Sequence, residues 1–193
     1  MTSGLNHLNH LNHNVKAGIV SAFFLIAGCA AWRFFVPEAA AHGTSIIPAT
    51  AFPLFIFYIT IVINTFFSVR LFTQIIPKED LTQKCFDVAL VLIYLWMAYA
   101  MKSVLLFALV DTLLFIVAAG KYAGLLRIVN HPILLKRKII IDLIGALAGL
   151  LAIGGIILGY PLETAWALAT AKVVANIALL YFWPMYRLDE ASA

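Results

Sequence analysis

The sequence predicts an all-α integral membrane protein: a bundle of six transmembrane helices with both termini on the cytoplasmic side. Three observations carry that expectation. Of the 193 residues, 64% are hydrophobic and 11% are charged, whereas a soluble domain of this size is roughly half apolar and about a quarter charged. Mean hydropathy is +1.00, so lipid rather than a buried core must accept the excess. The basic residues also collect on alternate connecting segments.

The apolar runs fall at 17–36, 49–72, 86–101, 103–120, 139–159 and 164–183, and a span takes about 20 residues of helix. The first run is too long for a signal-peptide core. It ends in Arg33, Pro37 and Glu38 rather than at a small-residue cleavage site, so it reads as a retained helix. The third and fourth form one stretch from Phe86 to Gly120, broken only by Lys102 and Asp111. As a single helix it would extend about 52 Å, too long for one crossing. A tight hairpin between Tyr99 and Ser103 is expected instead, with a steeply tilted or broken helix as the alternative.

Six spans also sort the charges. With the N-terminus inside, the inner segments hold Lys16, Arg70, Lys78, Lys84, Lys121, Arg127, Lys136, Arg137, Lys138 and Arg187, and the outer ends hold Arg33 and Lys102. That asymmetry follows the positive-inside rule, and five spans would move Arg187 outside. The chain divides into a polar His/Asn-rich arm (1–14), a single transmembrane domain (15–187) and a short tail (188–193). The segment Lys121–Lys138 reads as a topology-fixing cytoplasmic loop that also meets anionic lipid headgroups. The partners expected are the bilayer, those headgroups, and further copies or other membrane subunits, and not nucleic acid.

The fifth helix contains GALAGLLAIGGIILG, with Gly145/Gly149 and Gly155/Gly159 at four-residue steps. Ala167, Ala171 and Ala175 repeat that step in the sixth. Close backbone approach on small faces drives helix association in lipid. The connector Tyr160–Glu163 makes the two helices an antiparallel hairpin, with the glycine face either inside it or at an interface between copies.

Ionisable groups deep in hydrocarbon cost about 2.5–3.5 kcal/mol each on the insertion scale. Asp87 has Lys84 three residues away and Asp142 has Lys138 four away, so both are read as locally paired. Asp111 and Lys172 lack such partners. Each lies nine residues past an outer-end charge, Lys102 or Glu163, and so descends about 13 Å. An acid and a base at matched depth suggest a buried pair facing the bundle interior. Asn176, one turn below Lys172, and Asn64 in the second helix extend it into a polar path or binding pocket.

Marks of familiar membrane chemistry are missing. There is no HExxH, GxSxG or glycine-rich phosphate loop, and no second acid at the depth of Asp111. No histidine lies in a span, which argues against a bis-histidine haem. A retinal Schiff base on Lys172 is disfavoured by six spans where microbial rhodopsins have seven. The two cysteines, Cys29 and Cys85, read as free thiols. The expectation is a transporter or channel for a small ion or solute using Asp111 and Lys172. The alternative is a non-catalytic accessory subunit of a larger membrane complex.

The arm carries three Leu-Asn-His triplets, LNHLNHLNHN. His7, His10 and His13 would spread over about 120° of an α-helix and align in a 3₁₀ turn. Either geometry allows a shared zinc, copper or nickel ion. The competing expectation is a packed or surface-lying arm, with Asn14 capping the first span.

Overall fold

The computed structural model describes the backbone of residues 2–41, 46–76 and 81–182, and the side chains of 13–34, 49–76 and 81–182. Six α-helices follow in order: α1 (Thr2–Ala41), α2 (Ile46–Ile75), α3 (Leu81–Ala100), α4 (Val104–Leu125), α5 (Pro132–Ile157) and α6 (Pro161–Ile177). A π-helical turn, Ala178–Phe182, extends α6. Six stretches are long and apolar enough to cross a membrane, beginning with His13–Phe34 and ending with Pro161–Phe182. This is the architecture of a multi-pass membrane protein. Leu151, Ile157 and Leu158 turn outward, where lipid rather than water suits them.

The long apolar stretch divides where its length demands. α3 stops at Ala100, and Ser103 has extended backbone angles and accepts from the Leu106 N–H at 3.4 Å to cap α4. Lys102 folds back to donate to the Tyr99 hydroxyl, its ammonium 3.5 Å from the ring centroid. The α5–α6 turn is made by Gly159, whose φ of +93° is a conformation that side chains resist. Pro161 then opens α6, where a missing N–H costs nothing.

The helices close a ring in the order α1–α2–α6–α5–α4–α3, with α3 returning to α1 and lesser contacts from α4 to α2 and α6. Its interior at one end packs Leu54, Phe57, Tyr58, Met97, Met101 and Phe107. A second cluster at the lysine-rich end joins Leu71, Phe72, Tyr122, Leu125, Leu134 and Leu135.

Several expectations change. The glycine seam of α5 is internal, but α4 is its principal partner. A Cβ on Gly145 would fall 2.7 Å from the Phe115 ring, and one on Gly149 would strike Thr112. Only Gly155 meets α6, at Thr164, while a Cβ on Gly154 or Gly159 would enter open space. Ala167, Ala171 and Ala175 are exposed, and α6 buries Ala165, Leu168 and Ala169 instead. A four-residue repeat cannot reveal which side of a helix a neighbour occupies.

The supposed loop Lys121–Lys138 is mostly helix, because the non-helical connector spans only 126–131. Lys121 and Lys138 are buried, whereas Arg127, Lys136 and Arg137 are exposed. α1 is helical from Thr2 and passes through Asn14, so Asn14 caps nothing. Cys29 and Cys85 are free and exposed.

Candidate functional site

Asp111 sits on α4 between Val110 and Thr112, both buried, and is itself 1% exposed. Neither carboxyl oxygen has a hydrogen-bond partner among the described residues. Lys172, half-buried on α6, holds its ammonium 4.4 Å from the Phe115 ring centroid and 5.9 Å from that of Phe57. Asp111 and Lys172 act on one another through space, yet among the described residues the ion pairs are two others. The expected pair is therefore brought together but left open.

Helix starts explain the gap. α4 begins at Val104, so Asp111 lies about 10 Å along it, and α6 begins at Pro161, so Lys172 lies about 16 Å along. Counted from their helix starts, the two positions differ by roughly one turn. Phe115, one turn beyond Asp111, shares the level of Lys172 and takes the cation on its ring face, as aromatic rings do.

A cavity of about 570 Å³ opens toward the lysine-rich end. It is walled by the adjoining portions of α1 to α4, with Lys138 and Asp142 of α5 at its edge. Phe24 of α1 stacks on Tyr94 of α3 at 4.4 Å, and the Tyr94 hydroxyl hydrogen-bonds to Thr65 of α2. Tyr58 donates to the Phe24 carbonyl at 3.0 Å. Three helices are thus tied beside the cavity. Phe115 is common to both regions, lining the cavity while holding the Lys172 ammonium.

Of the other expected site residues, Asn64 is buried on the cavity wall. Asn176 is buried with its side-chain oxygen unpartnered among the described residues, and does not border the cavity. Asp111 and Lys172 also lie off the cavity lining.

Two charge pairs that the sequence marks as local stand differently in the fold. Lys138 does donate to Asp142, as the four-residue spacing suggests, but the side chains are 6% and 1% exposed and one Asp142 oxygen is left unpartnered. Lys172 is within electrostatic range of both. The readable signal was the run Ile139-Ile140-Ile141 between them, which already belongs to the apolar span. Asp87 pairs with Lys121 across α3 and α4, not with Lys84. Its signal was symmetry: Val104, at the hairpin, is midway between the two in sequence, and residues equidistant from an antiparallel turn lie at one height.

His13 meets Thr73 of α2, with Nδ1 and Oγ1 3.0 Å apart, which ties the start of the first span to the second. No group of three or more metal-ligating side chains occurs among the described residues. The side chains of His7 and His10 lie outside the described residues, and the triplet metal site with them.

Comparison of the chain with protein-family models, with curated proteins and with solved structures returns no match.

Proposed function

We propose that this multi-pass membrane protein is a small transporter or channel for an ion or small solute. Asp111 is its proton- or cation-accepting group and Lys172 is the resting counter-charge. The lysine-rich end faces the cytoplasm, with both termini on that side, in keeping with the positive-inside rule. The observation that carries the reading is the open pair. Asp111 is 1% exposed with two unpartnered oxygens, while the lysine beside it rests on an aromatic ring. A structural salt bridge recovers its desolvation cost by closing. A pair held apart retains an acceptor that an ion can fill, which is what an intramembrane carboxyl does in a transport path.

The cavity supports this reading because Phe115 both lines it and carries the Lys172 ammonium on its ring. Movement of Phe115, or of α6 against α4, would connect them. Packing at the other end, from Leu54 to Phe107, then acts as the closed side.

The second reading, an accessory subunit of a larger assembly, draws on the outward alanine ladder at Ala167, Ala171 and Ala175, since small faces admit another helix closely. The deciding experiment is gentle purification from native membranes with native mass spectrometry, followed by reconstitution into vesicles. A protein that purifies alone and drives a flux lost in Asp111→Asn supports transport. A fixed hetero-complex without flux overturns it.

A further inference from the structure

We infer that the cavity at the lysine-rich end is a binding site for a phosphate ester that carries hydroxyl or ammonium donors, with room beside it for an apolar portion. The inference does not depend on the transport reading, because binding at equilibrium requires no flux.

Charge comes first. Among the described residues, four lysines line the cavity, Lys16, Lys84, Lys121 and Lys138, against two acids, Asp87 and Asp142. Lys121 and Lys138 are engaged with those acids. Lys16 and Lys84, contributed by different helices, have no ion-pair partner among the described residues. The surplus of two positive charges favours an anion. Lysine suits phosphate as a point charge on a flexible stem, and basic pockets between membrane helices take phospholipid headgroups in this way.

Unpartnered acceptors come second. Gln83 is 3% exposed and Asp142 0%. Both line the cavity, and each keeps one side-chain oxygen without a donor among the described residues. Such atoms are costly unless a donor reaches them. A sulfate or halide ion has none to offer, whereas a phosphoglycerol or phosphoethanolamine does.

The third feature is the apolar wall. Phe24, Leu90, Val91 and Leu114 line the same space. At about 570 Å³ it falls within the usual range for ligand sites, with room for a headgroup and the first part of a chain. The same chemistry is offered by a membrane phospholipid and by a soluble phosphate ester.

The test uses the full chain in detergent, titrated separately with phosphatidylglycerol, phosphatidylcholine and glycerol 3-phosphate and read by native mass spectrometry. One saturable phosphatidylglycerol site is expected, with phosphatidylcholine about tenfold weaker. Lys16→Gln/Lys84→Gln, altering two exposed side chains, should weaken binding at least about tenfold, the scale of one charge-assisted hydrogen bond. Gln83→Leu should weaken it as well. Lys136→Gln/Arg137→Gln removes as much charge from exposed positions off the cavity and should change binding less than about threefold. Saturable glycerol 3-phosphate binding with the same variant sensitivity also supports the site and names the soluble source. Equal losses in the two double variants would show attraction to the surface at large and overturn the proposal. So would the absence of a saturable site for either phosphate ester.

Discussion

The two buried aspartates should respond unequally to the same conservative change. In Asp111→Asn no hydrogen bond is lost, because the carboxyl makes none among the described residues, and no closed ion pair is broken. What disappears is attraction to Lys172 across space. The pair is open, so that attraction is worth less than about 4 kcal/mol, the value for unit charges about 4 Å apart at an effective dielectric constant of about 20. Against it stands the cost of burying a carboxylate, several kcal/mol. The terms oppose one another, and the net change in stability should stay within about 1 kcal/mol. Asp142→Asn instead breaks a pair whose side chains are 6% and 1% exposed and strands Lys138, a loss of about 3–5 kcal/mol. The gap of at least about 2 kcal/mol is roughly a thirtyfold difference in the folding equilibrium. Titrating the purified proteins with SDS in mixed micelles, followed by tryptophan fluorescence, measures it. Vesicle flux of the same proteins should vanish in Asp111→Asn. A loss of 3 kcal/mol or more in Asp111→Asn, or equal losses in both variants, would make Asp111 a structural residue and refute the reasoning.

Further outcomes follow from packing and topology. Gly149→Leu should separate α5 from Thr112 and cost about 1–3 kcal/mol or more, whereas Gly154→Leu, facing open space, should cost little; the same SDS titration ranks them. Gly28→Ala should destabilise by a similar amount, because its Cβ meets the Tyr58 ring, and Tyr58→Leu introduced beside it should recover part of the loss in a double-mutant cycle. Exposed Cys85, near the lysine-rich end, should react with an impermeant thiol reagent only from the cytoplasmic side. A cysteine at Lys102 should react only from the opposite side, and labelling of Lys102→Cys from the cytoplasm would reverse the proposed orientation.

Helix number and the α3–α4 hairpin were legible because each rests on length. A bilayer sets how many apolar residues make a crossing, and the stretch Phe86–Gly120 could obey only by turning. Partner choice was less legible. The glycines of α5 announced a close approach, yet its main object, Thr112 and Phe115 of α4, follows from the ring order. Asp111 and Lys172 stood out because each is isolated in an apolar run. Asp142 was hidden by its neighbour Lys138, since a local partner says nothing about depth. The cavity had no sequence mark of its own, because its lining comes from five helices, each contributing residues that are unremarkable alone.

Ring order also sets a schedule. α2 adjoins α6, its partner most distant along the chain, so one flank of α2 stays unmatched until the last described span has emerged. Asp111 enters the bilayer with α4, two crossings before Lys172 arrives. During synthesis the acid must therefore wait without its counter-charge, next to helices that cannot yet close around it. A nascent chain stalled after α5 would present that carboxyl without its counter-charge and an open flank of α2 together.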